Sequence, residues 1–359
     1  MKILIITNHS YMLYRFRKEL IQALMQDHEV VLSMPFVGHE DDLQAMGLRC
    51  IETNVDRRGI NPKTDFKLFM EYRRLLKQEK PQMVITYSIK PNIYAGLACT
   101  LAGIPFCVNV QGLGTAFQRK GLAIFVTALY KAALRKAKTV FFENHGNAKE
   151  FLDRKIIPSE KITVLSGAGI NLDDYPYTPY PENDQVHFLF LGRIMKEKGI
   201  SELFAAISRL HHEMGDRVVL DLVGFFDDDY QAEVDRLTAA GIARFHGFQT
   251  DPLPYYAAAD CVVLPSYHEG MSNVLLESAA IGRPVITSDI YGCKEAVDDG
   301  KSGLLCRVKD ADDLYTKMKE IATLSVSDRA SMGRSGRAKM EQEFDKKNVV
   351  AQTVSKILE

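Results

Sequence analysis

None of the six cysteines (Cys50, Cys99, Cys107, Cys261, Cys293, Cys306) stands in C-x-x-C spacing. They read as reduced, mostly buried thiols of a reducing compartment. No His, Cys or Asp cluster has metal-ligand intervals, so no metal is expected. The loop after the first apolar run, residues 7–14, lacks G-x-G-x-x-G, which argues against a nicotinamide or flavin dinucleotide there. No stretch approaches 18 uninterrupted apolar residues, and the run at 3–6 is too short for a signal peptide core. A cytoplasmic protein is the expectation. A net charge of -1 argues against a generic nucleic-acid binder. One absence is local: between Glu79 and Glu143 there is no Asp or Glu, where about eight would stand at average composition.

What is present is alternation. At 359 residues, 46% apolar and 25% charged, the chain suits two soluble domains, each with its own core. Short β-rich apolar runs (2–6, 30–32, 83–86, 106–110, 139–142, 162–165) interleave with helical patterns, for example 16–25, 92–102 and 122–138. This βαβ order predicts a parallel sheet with helices on both faces and ligands outside the carboxyl ends of the strands. Residues 7–10, 87–92 and 111–115 should then border one crevice. The pattern repeats after residue 185. Between the halves, residues 173–184 carry Pro176, Pro179 and Pro181 and read as a stiff linker. The expected division is 1–172, the linker 173–184, 185–340, and a terminal helix within 341–359 packing back toward the first domain.

Residues 261–282 organise the second half. A buried strand (261–264) leads through a loop bearing Glu269 and Gly270 to a helix that starts near Ser272 or Asn273 and closes at Gly282. A helix amino end offers free N–H groups and partial positive charge, a natural anion site. Glu269 and Glu277 would repel phosphate, so they suit the hydroxyl-rich parts of a ligand; otherwise they are a loop charge and a solvated helix residue. Arg193 and Lys198 follow the first strand of this half, where they reach the same sheet edge and can neutralise a diphosphate. A sugar nucleotide satisfies every group.

In the acid-free stretch, Lys131, Arg135 and Lys138 fall at i, i+4 and i+7 on the helix 122–138, with Leu122, Phe125, Val126, Leu129 and Ala133 opposite. This is either an ordinary solvated stripe or a surface for anionic lipid or a lipid-linked diphosphate. The same stretch carries Lys90, Arg119 and Lys120.

Gly192-Arg193, Lys198-Gly199, Glu269-Gly270 and Glu277 in E-x7-E spacing together resemble the family 4 glycosyltransferases. Residues 285–289 and Gly292, Glu295, Val297, Gly300 and Gly303 extend the likeness over nearly the whole chain. The resemblance implies an α/β GT-B fold, two Rossmann-like domains with parallel sheets facing a cleft, and a retaining hexosyltransferase. Phe16-Arg17, the 90–94 segment and Val110, Gly112, Leu113 and Gly114 look most like bacterial enzymes that extend undecaprenyl-diphosphate-linked glycans. By that likeness Arg193 and Lys198 hold the donor diphosphate and Glu269 the donor sugar. Gly192 and the amides of Gly270, Met271, Ser272 and Asn273 line the donor site, and Glu277 binds the ribose. His9, Lys90, Asn92, Gly112 and Gly114 would line the acceptor side. The family's usual His after the third strand of the sheet is missing: residues 87–90 read Tyr-Ser-Ile-Lys, leaving Lys90 or His9 to take its place.

The donor implied is a UDP-hexose or UDP-N-acetylhexosamine, with GDP-mannose second. The acceptor is a polyprenyl-diphosphate-linked glycan at the cytoplasmic face of an anionic membrane. No carboxylate nucleophile is evident, so retention by front-face substitution is expected, the departing phosphate taking the acceptor proton. A UDP-sugar epimerase of similar fold, a non-catalytic sugar-nucleotide sensor and a scaffold are the competing classes.

Overall fold

The computed structural model describes residues 1–56, 61–114, 117 and 120–359. It divides into two compact units, Met1–Ala168 with Lys347–Glu359, and Gly169–Lys346.

The first unit is built on a parallel sheet ordered β3-β2-β1-β4-β5-β6-β7. Its strands are β1 (Lys2–Ile6), β2 (Glu29–Met34), β3 (Arg49–Glu52), β4 (Met83–Tyr87), β5 (Phe106–Val110), β6 (Thr139–Phe142) and β7 (Ile162–Val164). Around it lie α1 (Ser10–Met25), α2 (Glu40–Ala45), α3 (Pro62–Glu79), α4 (Ile89–Ala102), α5 (Lys120–Ala133) and α6 (His145–Asp153). The two-residue period of a strand splits β1 between two cores. Leu4 and Ile6 join Leu68, Ala95, Val108 and Val126 on the α3–α5 side. Ile3 and Ile5 join Leu13, Leu20 and Ile85 on the α1 side. Each buried aliphatic contributes about 1.5–3 kcal/mol.

The second unit repeats the plan with β8 (Val186–Leu191), β9 (Val218–Val223), β10 (Ala243–Phe245), β11 (Cys261–Leu264), β12 (Val285–Ser288) and β13 (Gly303–Cys306), ordered β10-β9-β8-β11-β12-β13 and parallel throughout. Its helices are α7 (Ile200–Met214), α8 (Gln231–Ala239), α9 (Leu253–Ala258), α10 (Asn273–Ile281), α11 (Ala311–Thr323) and α12 (Val326–Glu343). In both sheets the strand order reverses beside the first strand, at β1/β4 and at β8/β11, the switch points where such sheets bind ligands. The last helix, α13 (Lys346–Leu358), supplies Val349 and Ile357 to the α1-side core of the first unit.

Three expectations need correction. The segment 173–184 is part of the second unit and not a linker. Arg283, fully buried, donates to the carbonyls of Thr178 (3.1 Å), Pro179 (2.8 Å) and Ala257 (2.9 Å). Tyr180 donates to the Asp260 carbonyl at 2.6 Å, and the Thr178 amide to that of Ile281 at 3.1 Å. Helix α5 stops at Ala133, so Arg135 and Lys138 are not on one helical face with Lys131. The chain turns there because the Lys138 amide must meet the Phe106 carbonyl to start β6. Lys138 Nζ then donates to the Ile357 carbonyl at 3.0 Å, closing the end of α13. Phe125, expected inside, is exposed along with Ile124, while Ala123, Val126 and Tyr130 are buried.

Candidate donor site

Gly192 and Arg193 leave β8, and the Gly192 and Ile194 amides donate to the carbonyls of Val223 (2.9 Å) and Phe225 (2.8 Å) past the end of β9. The two chains run so close at Gly224 that a Cβ there would fall 1.8 Å from the Gly192 oxygen. Arg193 Nη1 donates to Asp227 at 2.5 Å, and the Lys196 amide to Asp228 at 2.8 Å. The acidic run 227–229, unremarkable in sequence, therefore braces the arginine loop.

One 3₁₀ turn, Lys196–Lys198, carries the lysine. Gly199 then opens α7 at φ +72°, where a Cβ would fall 2.1 Å from the Pro265 oxygen. With the Tyr267 amide donating to the Glu197 carbonyl at 2.9 Å, this contact locks the lysine loop to the one after β11. The result brings Lys198 Nζ to 2.5 Å from Glu269 Oε1, with the side chains 20% and 13% exposed.

Ser272 occupies the N-cap of α10 with no side-chain capping bond. Its amide donates to the Gly292 carbonyl at 2.9 Å, fixing where the helix begins. Met271 and Ser272 are buried, and Gly270 and Asn273 partly so. Within α10, buried Glu277 accepts from the Tyr256 hydroxyl at 2.8 Å. Tyr256 was not anticipated; its signal was the Tyr255-Tyr256 pair in a short helix. Burial pushes the Cys293 thiol up, and the nearby Glu269 pushes it further, so this cysteine stays protonated beside the site.

The second unit thus gathers two cations, a carboxylate and an uncapped helix end at the carboxyl edge of β8 and β11. Such a constellation can take up a diphosphate on the cations and amides while glutamate oxygens accept from hydroxyls.

In the first unit the residues foreseen at the sheet edge divide. His9 ends the β1 loop at the N-cap of α1, its ring 6.0 Å from that of Tyr11. Lys90 is not a lone cation: Nζ lies 2.7 Å from Asp65 Oδ1, with side chains 13% and 10% exposed. Asn92 is buried; it accepts from Thr86 Oγ1 at 2.7 Å and donates to the Asn109 carbonyl at 2.8 Å, tying α4 to β4 and β5. Gly112 is partly buried, and Gly114 is exposed at φ +62°. Thr115, Arg119 and the Lys120 side chain lie outside the described residues. Lys131 and Arg135 are exposed. Arg17 is buried; Nη2 donates to Glu143, and its guanidinium lies 5.2 Å from the Tyr87 ring centre. Burial raises the Tyr87 hydroxyl to about 12.

Comparison with known proteins gives these parts a common setting. Residues 185–323 match the family model described as glycosyl transferases group 1, and residues 2–144 the one described as glycosyl transferase 4-like. The N,N'-diacetylbacillosaminyl-diphospho-undecaprenol alpha-1,3-N-acetylgalactosaminyltransferase of Campylobacter jejuni is 26% identical, across 99% of this chain and 98% of the relative. The capsular polysaccharide biosynthesis glycosyltransferase CapM of Staphylococcus aureus is also 26% identical, across 79% of each. The crystal structure of Anabaena Alr3699/HepE in complex with UDP superposes with a TM-score of 0.81 at 17% identity, covering 99% of both chains. Among the described residues no helix is long and apolar enough to cross a membrane.

Proposed function

From the premise that this chain belongs to the glycosyltransferases those two models describe, a hexosyltransferase of GT-B fold, we propose that it moves a hexose or N-acetylhexosamine from a UDP-sugar to a lipid-diphosphate-linked glycan, with retention. The observation that carries the donor side is the Lys198–Glu269 contact at the uncapped start of α10. The UDP in the Anabaena neighbour supports the base, and the undecaprenyl diphosphate in the Campylobacter relative's name supports the acceptor.

On this reading Arg193, Lys198 and the α10 amides stabilise the diphosphate as its bond to the anomeric carbon breaks, and Glu269 holds donor hydroxyls. Glu277, set by Tyr256, accepts from the ribose. The leaving phosphate oxygen takes the acceptor proton, and the new glycosidic bond forms on the face the phosphate vacates. The two cations do the charge work, so transfer should survive EDTA; loss of activity with EDTA and recovery with Mn2+ would contradict this. The exposed Ile124 and Phe125, with Lys131 and Arg135 nearby in an acid-free stretch, would rest on anionic lipid at the cytoplasmic face. Equal flotation with anionic and neutral liposomes would remove that part.

The decisive experiment incubates a panel of UDP- and GDP-sugars with short-chain polyprenyl-diphosphate sugars and reads products by mass spectrometry. One UDP-sugar extending the acceptor by a single ring is expected. Interconversion of donor sugars without acceptor would point to an epimerase instead.

A further inference from the structure

Each cation of the donor site has its own carboxylate, and the two carboxylates are not equivalent. Glu269, opposite Lys198, has a use once a ligand arrives, because its oxygens can accept from sugar hydroxyls. Asp227, 2.5 Å from Arg193, has none: an ionised phosphate offers it no hydrogen and brings charge of its own sign. Nor can its backbone withdraw. The Asp227 and Asp228 amides both donate to the Ile194 carbonyl (3.1 and 3.3 Å), and the Ile194 amide donates to that of Phe225 (2.8 Å), which fastens the acid to the arginine's own loop. Asp228 completes the fastening by accepting the Lys196 amide at 2.8 Å. Among the described residues the Asp227 side chain bonds only the Arg193 guanidinium, through Nη1, and the remaining guanidinium N–H groups stay available to an anion.

We propose that Asp227 is a release residue, a fixed negative charge that weakens the hold of Arg193 on the nucleoside diphosphate product more than on the donor; this rests on the proposed function. Before transfer the outer phosphate is esterified to the sugar, and after transfer it is free. The freed oxygen first carries the acceptor proton and then gives it to water, because a terminal phosphate titrates at about 6. Above neutral pH the product therefore has one more negative charge than the donor. A carboxylate touching the same guanidinium repels that product more strongly. The Arg193 and Asp227 side chains are 45% and 25% exposed, so water screens the repulsion and its effect is a few-fold. Such a charge limits product inhibition while leaving the donor held.

The test is titration calorimetry on the full chain at about pH 8, where a terminal phosphate is fully ionised. The probes are UDP and its outer-phosphate methyl ester, which carries the donor's charge without its sugar. Wild type is compared with Asp227→Asn and Asp227→Glu, both at a surface position. The Asn oxygen can still accept from Arg193, so the arginine stays placed while the charge is removed. Asp227→Asn should bind UDP about three- to tenfold tighter and the methyl ester by a smaller factor, with the gain for UDP shrinking in about 0.5 M NaCl. Asp227→Glu keeps the charge and should show no gain. UDP bound no tighter by Asp227→Asn, an equal gain for both probes, or the same gain in Asp227→Glu would overturn the release role. Weaker binding of both probes by Asp227→Asn would also overturn it, leaving Asp227 a brace only. A wild type that binds neither probe would overturn the proposed function and this role with it, whereas a wild type that binds UDP confines any failure to Asp227.

Discussion

Lys198 Nζ lies 2.5 Å from Glu269 Oε1, joining a loop after β8 to a loop after β11 across 71 residues of sequence. Each holds the other in place: the carboxylate fixes where the ammonium points, and the ammonium fixes the orientation of the carboxylate. Lys198→Ala removes a preorganised donor and leaves Glu269 without this partner. Its kcat/KM for the UDP-sugar should fall about 10²–10³-fold, the range for losing one such group. Glu269→Gln should also lower kcat/KM, because the amide no longer anchors Lys198. Wild-type turnover in Lys198→Ala, read by UDP release, would refute the charge assignment.

The lysine loop depends on a backbone contact no side chain can replace. Gly199 and Gly241 have nearly the same dihedral, φ +72° and +73°, but a Cβ at Gly199 would sit 2.1 Å from the Pro265 oxygen, while nothing lies within 4 Å at Gly241. Gly241→Ala should cost only the left-handed penalty, about 1–2 kcal/mol. Gly199→Ala must also push the two loops apart, so it should destabilise by more and depress donor binding. Paired urea titrations with UDP affinities separate dihedral from clash; equal losses in the two variants would contradict the contact.

Much of this was legible in the sequence because it depends on local pattern. Ile3 to Ile6 reads as a buried strand wherever it packs, and Arg193, Lys198 and Glu269 follow apolar runs whose parallel order puts their ends on one edge. What could not be read are partners set by which strand lies beside which. Asp227 meets Arg193, Tyr256 meets Glu277 and Asp65 meets Lys90 only after β8–β9, α9–α10 and α3–α4, respectively, have packed. The helix 122–138 was overextended because Lys131, Arg135 and Lys138 fit its period, and only the register of β6 on β5 enforces the turn at 134–138. Proline content likewise signals a linker whether or not a buried arginine later straps it down.

That arginine gives a stability prediction. Arg283 Nε and both terminal nitrogens donate to Tyr256, Thr178, Pro179 and Ala257 carbonyls at 2.8–3.1 Å. Arg283→Met keeps much of the apolar stem but leaves buried carbonyls unpaired, at about 1–3 kcal/mol each. The urea midpoint of the second unit should drop sharply, and protease should cut within 173–184 at concentrations that spare the wild type. A variant as resistant as the wild type would show that the strap is held by the Tyr180 hydroxyl and the Thr178 amide alone.

Acid should act on the first unit through Glu79. This carboxylate, 6% exposed, accepts from Lys2 Nζ at 2.9 Å and from Arg49 Nη1 and Nη2 at 2.8 and 2.9 Å. Burial alone would raise its pKa, but the bonds and charges of Lys2 and Arg49 outweigh that and hold it below the usual 4.5. A carboxylate depressed on folding binds its proton more tightly in the unfolded chain. Its stabilisation is therefore complete above about 4.5 and is lost as pH falls through the lower, folded value. Glu79→Gln should unfold more easily than the wild type at pH 7, and the gap in melting temperature should narrow steadily below pH 4.5. A gap that stays constant down to pH 3 would mean that the ion pairs of Glu79 do not distinguish its charged from its protonated form.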